Sequence, residues 1–174
     1  MEMVMRFDRK VVLKRLLDLV LIAAMLYAAL LAFGVVRRGG RLAEGREAPP
    51  LVGSALADGR RVSLDEFRGK AVLLDFFSTG CPSCRRILPD IEELQERGGD
   101  RLQVLLVSTD PSEQLSSYLA GEKSSLLAVV ENGEAHRAYG VDTIPYLVVI
   151  DPSGRIRGDY IGDIRWSDIE PHLP

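Results

Sequence analysis

Asp75-Phe76-Phe77-Ser78-Thr79-Gly80-Cys81-Pro82-Ser83-Cys84 holds both cysteines of the 174-residue chain, two residues apart. An apolar run, Ala71 to Phe77, precedes them and reads as a strand covered on both faces, with Asp75 as its one charge. Behind them Ile87, Leu88, Ile91 and Leu94 recur at spacings that share one helix face. The pair therefore sits where a strand ends and a helix begins. Residues three apart on a helix are neighbours, within the Cα separation that a disulfide needs. Cys81 falls at the helix N-terminus, where free N–H groups and the positive end of the dipole favour a thiolate. Pro82 suits the first helical position, since its missing N–H would have had no intrahelical partner.

Working outward, Leu51–Ala55 and Arg61–Ser63 read as a hairpin about Asp58-Gly59. Ser63-x-x-Glu66 is a capping box for one helical turn. The helix after the cysteines is expected from Pro82 to Arg97, with Pro89 inside it and Gly98-Gly99 ending it. Leu102–Ser108 is a further buried strand. Asp110-Pro111-Ser112-Glu113 reads as N-cap, Pro at N1 and an acid at N3 of a helix running to Gly121. Leu126–Val130, a short helix 133–139, and a hairpin of Tyr146–Ile150 with Arg155–Tyr160 about the turn Asp151-Pro152-Ser153-Gly154 complete the order. Ser167-x-x-Glu170 starts a stub helix. Strands alternating with helices and then an antiparallel pair imply an α/β domain, a mixed sheet with helices on both faces.

The ends of the chain differ in charge. Residues 1–41 carry eight Lys and Arg against Glu2, Asp8 and Asp18, a net +5; with −3 overall, the remainder carries −8. An acidic domain argues against a nucleic-acid partner, and a basic N-terminus suits an anionic bilayer. Leu19–Val36, LVLIAAMLYAALLAFGVV, has no charge over eighteen residues, and Leu16-Leu17 extend it. The expected organisation is a basic segment 1–15, a transmembrane signal-anchor 16–36, a linker 37–50 and a domain 51–174. A cleaved signal peptide is the competing reading; Arg37-Arg38 directly after the run and the lack of a clean small-x-small site favour an uncleaved anchor. Five cations before the span against four after it place the N-terminus inside and the domain outside the cell membrane.

Cys-x-x-Cys at a strand-to-helix junction, Pro89, and Ile144-Pro145 ahead of an apolar strand resemble the thioredoxin fold. Gly45-x-x-Ala48-Pro49, the Ala57–Arg60 turn and Leu64-x-x-Phe67-x-Gly69-Lys70 narrow the resemblance to the membrane-anchored TlpA/ResA-like thiol–disulfide oxidoreductases, over Glu44 to Gly162. That resemblance implies protein thiols and disulfides as partners, a membrane or soluble thiol as electron donor, and no cofactor beyond the cysteine pair. It implies Cys81 as nucleophile, Cys84 as resolving cysteine, and Asp75 as a buried acid exchanging protons with Cys84. It also implies a cis Pro145 beside the cysteines and an Ile144 backbone that bonds an extended substrate. Pro82 and Ser83 complete the substrate-facing set, and the Ser83 N–H or hydroxyl is expected to bond the thiolate.

Departures from the pattern matter. Gly80 stands where the fold often has Trp, and Ile87 where many cytochrome-maturation members have Glu; the only Trp is Trp166. The client implied is cytochrome c or another metalloprotein under maturation, and Ser78–Cys84 is locally similar to accessory proteins of methylamine dehydrogenase maturation. Two readings stand beside the oxidoreductase. Ser78-x-x-Cys81 fits part of a peroxiredoxin motif whose proline is replaced by Leu74, and a non-catalytic client- or metal-binding module would also retain a cysteine pair. No metal site is expected: zinc takes about four ligands, and His136 and His172 are isolated.

Overall fold

The computed structural model describes Arg15, residues 18–27 and residues 42–174. The chain divides into two units, Met1–Gly39 and Gly40–Pro174. In the first, residues 18–27 are helical, and the rest of the expected span over 16–36 lies outside the described residues. Among the described residues no helix is long and apolar enough to cross a membrane.

The second unit is an α/β domain around one seven-stranded sheet. In chain order its strands are β1 (Val52–Ala55), β2 (Arg61–Ser63), β3 (Ala71–Phe76), β4 (Leu102–Ser108), β5 (Leu127–Val130), β6 (Tyr146–Ile150) and β7 (Ile156–Ile161). Across the sheet they lie in the order β2-β1-β5-β4-β3-β6-β7. β3, β4 and β5 run parallel, and β6 returns antiparallel beside β3 with Phe76 opposite Tyr146. β3 is thus central, which is why its sequence is apolar at both parities. Ala71, Leu73 and Phe77 face one side with Cys84, Ile87, Leu88 and Ile91; Val72, Leu74 and Phe76 face the other with Tyr139 and Tyr146.

The helices are α1 (Pro82–Gly98), α2 (Ser112–Glu122), α3 (Glu134–Ala138) and α4 (Trp166–Ile169). α1 buries the expected face, Cys84, Ile87, Leu88, Ile91 and Leu94, and ends at Gly99 with φ 52°. Each such aliphatic side chain contributes roughly 1.5–3 kcal/mol by leaving water. The capping box at Ser63 is present over a 3-10 turn, Leu64–Phe67. The last helix is capped differently from expectation: the Asp168 carboxylate accepts from the Arg165 N–H, and Ser167 lies inside the helix. The second part of the expected linker is bonded to the domain. Gly45 N–H donates to the Ile156 carbonyl, Ile156 N–H to Arg46, and Ala48 N–H to Gly154.

Candidate functional site: a redox pole at the end of the central strand

β3 delivers the chain to one end of the sheet, and α1 carries it away. Cys81 is the N-cap of α1, with extended backbone at φ −94° and ψ 109°, and Pro82 takes the first helical position. An N-cap side chain reaches the N–H two or three residues on. Accordingly Cys81 Sγ accepts from the Cys84 N–H at 3.1 Å. Ser83 was the expected donor; its hydroxyl instead accepts from the Arg86 guanidinium at 3.3 Å. The N–H that serves the sulfur is that of Cys84, its disulfide partner. Cys81 and Cys84 are joined in a disulfide with a Cα–Cα separation of 5.3 Å. Cys81 is half-buried and Cys84 only 3% exposed, so a partner meets Cys81 first.

Ile144–Pro145 is a cis peptide bond at the start of β6. Because β6 lies beside β3, this bond arrives at the same end of the sheet, and the Ile144 carbonyl oxygen lies 3.9 Å from Cys81 Sγ. A disulfide sulfur has no proton to donate, so in the oxidised state this is a contact; a Cys81 thiol gains an acceptor there. Pro82 is exposed and Ile144 half-buried.

Asp75 lies on β3, on the sheet face that carries Cys84. Register places it between Leu106 of β4 and Leu147 of β6, with Ala128 and Tyr160 further along the same row. Leu106, Ala128 and Leu147 belong to the apolar cluster that contains Cys84, and Tyr160 packs against it. Asp75 is 2% exposed, its Oδ1 has no protein hydrogen-bond partner, and burial pushes its carboxyl up to about 7. On the same face Tyr118 of α2 packs on Phe77 at 6.2 Å between ring centroids, and the Arg85 guanidinium stacks 5.5 Å over Tyr118. Arg85 also faces Glu122 at 3.6 Å.

One residue of this pole is absent from the sequence expectations. Asp110 was read as the N-cap of the second helix, but that cap is Pro111, which makes no side-chain bond, and the helix starts at Ser112. The Asp110 carboxylate turns the other way. It accepts from the Thr79 N–H at 2.6 Å and the Ser78 hydroxyl at 3.0 Å. A local capping pattern masked a contact 31 residues back along the chain. Among the described residues no three His, Cys, Asp or Glu side chains gather so as to hold a metal ion.

Comparison with known proteins agrees with this geometry. The family model described as AhpC/TSA matches residues 45–158. The thiol-disulfide oxidoreductase ResA of Geobacillus thermodenitrificans is 29% identical over 97% of this chain and 97% of its own. The thioredoxin-like protein YneN of Bacillus subtilis is 29% identical over 75% of this chain and 78% of its own. Among solved structures, the thioredoxin domain of a thiol-disulfide oxidoreductase from Bacteroides vulgatus superposes with a TM-score of 0.67 at 29% identity, covering 75% of this chain and 94% of that one. A putative thiol:disulfide interchange protein DsbE from Chlorobium tepidum gives 0.66 at 25% identity, covering 73% and 91%.

Proposed function

The chain belongs to the AhpC/TSA family and is a thioredoxin-like thiol–disulfide oxidoreductase; from that premise we propose that it is anchored in the cell membrane and exchanges disulfides with extracytoplasmic proteins through Cys81 and Cys84. One observation carries the reading. A half-buried sulfur at a helix N-terminus is joined to a buried partner that shares its apolar cluster's sheet face with an unpaired acid.

The steps follow from that arrangement. In the reduced protein the Cys81 thiolate attacks one sulfur of a client disulfide, and the other client sulfur leaves as a thiolate. Helix N–H groups favour the attacking anion. Cys84 then gives its proton to the Asp75 carboxylate and attacks Cys81 Sγ, which breaks the mixed disulfide and releases the second client sulfur as a thiolate. Two electrons pass from the cysteine pair to the client, and a membrane or soluble thiol donor restores them. Run in reverse, the same steps oxidise a client dithiol. An acid near 7 is matched to proton exchange with a thiol at neutral pH. The extended client segment lies along Ile144 and Pro145 with Pro82 and Ser83 opposite, and its backbone bonds to Ile144 as an added strand would.

The anchor rests on the uncharged run 19–36 with cations on both flanks. Leu19, Val20, Leu21, Ile22, Met25 and Leu26 are each more than half exposed within the described helical stretch, which suits lipid contact. Outside the cytosol disulfides persist, which suits this chemistry. Ile87 is buried, so that position presents no charge to a client. Apocytochrome c or another metalloprotein precursor is the proposed client class.

The test is a trapping experiment in membranes. Cys84→Ser is expected to accumulate mixed disulfides with extracytoplasmic proteins, and Cys81→Ser to accumulate none. Equal trapping by the two variants refutes the division of roles. Peroxide consumption by the wild type at a rate above thiol–disulfide exchange returns the peroxidase reading.

A further inference from the structure

We propose that Asp110 is a positioning residue of the redox centre, one whose carboxylate ties down the loop 78–80 and thereby sets the register of Cys81 against the Ile144 backbone. It rests on the reading of Ile144 as the edge on which an extended client lies.

The loop has few other ties. β3 ends at Phe76, and Phe77 N–H still donates to the Val107 carbonyl. From Ser78 to Gly80 the chain belongs to neither strand nor helix. Its internal bonds close a turn on itself: Cys81 N–H to the Ser78 carbonyl at 3.0 Å, and Gly80 N–H to the Ser78 hydroxyl at 3.3 Å. Those bonds shape the turn without fixing it to the sheet. The fixing is done from β4 and α2. Asp110 takes the Thr79 N–H and the Ser78 hydroxyl, and Gln114 donates to the Thr79 hydroxyl. Asp110 is itself held because its own N–H donates to the Ser108 hydroxyl at 3.1 Å.

A second observation points the same way. Asp is among the preferred N-caps, and an N-cap contributes about 1 kcal/mol to a helix. Asp110 stands one residue before the actual cap of α2, yet the cap goes without a side-chain bond. The carboxylate is committed to the loop instead. Burial acts to raise its pKa, but the bonds from Thr79, Ser78 and Ser108 outweigh burial and hold it below the usual carboxylate range. Asp110 is therefore ionised wherever thiol exchange runs, and its bonds are the stronger, charge-assisted kind.

Register matters because exchange needs three sulfurs in line. A small disulfide can tumble into line with Cys81 wherever the loop stands. A client strand docked on Ile144 cannot, and an error of about 1 Å in such a geometry can lower a rate up to a hundredfold.

The experiment compares two substrates on the full-length reduced protein at equal folded fraction: 5,5′-dithiobis(2-nitrobenzoate), and an extended peptide carrying a mixed disulfide. Asp110→Ala is expected to slow the peptide about tenfold or more while the small disulfide changes less than about threefold. Asp110→Asn keeps one acceptor oxygen for the Thr79 N–H and is expected to recover most of the peptide rate. Where Asp110→Ala does not fold, Ser78→Ala serves, with an intermediate loss again confined to the peptide. An equal fall for both substrates, no fall for the peptide, or an Asn variant no better than Ala overturns the proposal. A wild type that shows no preference for the peptide removes the Ile144 edge and this proposal with it; a selective wild type with unselective losses in the variants removes the Asp110 proposal alone.

Discussion

Asp75 and Asp151 lie at opposite ends of the same antiparallel pair of strands, β3 and β6, and both are buried, at 2% and 8% exposure. Their surroundings differ completely. Asp151 Oδ1 accepts from the Ser153 N–H, the Ser153 hydroxyl and the Arg155 N–H, and Oδ2 receives the Arg157 guanidinium at 2.7 Å. Burial acts to raise its pKa, but the bonds from Ser153, Arg155 and Arg157 outweigh it and bring the carboxyl down to about 2. Asp75 has no such partners, and burial alone sends it up to about 7. One end of the molecule uses an acid to lock a turn. The redox end keeps an acid that destabilises the fold, and the proton exchange with Cys84 proposed above gives a reason for keeping it.

The largest effect expected from breaking this contrast is at Asp75. Its folded pKa lies above the unfolded value of 3.8. Below about pH 4 both states are protonated and no penalty exists. As pH rises to about 7 only the unfolded chain releases the proton, so stability falls and then levels off. The full penalty is about 4 kcal/mol. Asp75→Asn is expected to abolish this loss, gaining most of that energy at pH 8 and little at pH 4, measured by urea denaturation across the range. The same variant is expected to slow the Cys84 step: its pH–rate profile should move to higher pH, following the cysteine's own thiolate. Parallel stability curves and superimposable rate profiles would return Asp75 to a structural role.

Asp151 gives the opposite slope in a different window. Its folded pKa is depressed, so its stabilisation is present above 3.8 and is lost as pH falls toward 2. Asp151→Ala leaves the turn donors and Arg157 without an acceptor and is expected to destabilise by about 2–3 kcal/mol at pH 7. Exchange rates at equal folded fraction should not change. A variant of unaltered stability would show that water replaces these bonds without loss.

The contrast also marks what the sequence could disclose. β3 and α1 were legible because their signals are local: an unbroken apolar run, then apolar residues at helical spacing, closed by Gly98-Gly99. Alternation along β3 puts Asp75 on one face with Leu73 and Phe77, but only the sheet order shows that this face carries Cys84 and that Leu106 and Leu147 flank the acid. Asp151 was legible only as a turn residue, because its partner Arg157 comes from across the hairpin. Asp110 was misread for the opposite reason: Asp-Pro-Ser-Glu is a complete local cap pattern, and its true partners are remote. At Ser83 the sequence left the choice open, because both its N–H and that of Cys84 are within reach of an N-cap side chain; in the disulfide state the Cys84 N–H makes the bond.

The smallest effects separate the two ends of α1, where glycine serves different needs. A Cβ on Gly98 would meet Leu102 Cβ at 2.3 Å, and that atom is bonded directly to Cα, so no side-chain rotation moves it aside. Gly98→Ala gains helix propensity of up to about 1 kcal/mol but must displace the entry to β4. A net loss of about 1–2 kcal/mol is expected. At the redox end a Cβ on Gly80 would meet nothing nearer than Ser78 Oγ at 3.9 Å, ordinary contact, and the backbone lies outside the left-handed region. The fold does not require glycine there. Alanine narrows the unfolded ensemble without native strain, so Gly80→Ala is expected to stabilise by about 0.5 kcal/mol. It leaves the Gly80 N–H free to donate to Ser78, and exchange with the small disulfide should stay within about twofold of wild type. A destabilised Gly80→Ala would mean that the loop depends on glycine as well as on Asp110, and the redox end would then be as tightly packed as the far end of its helix.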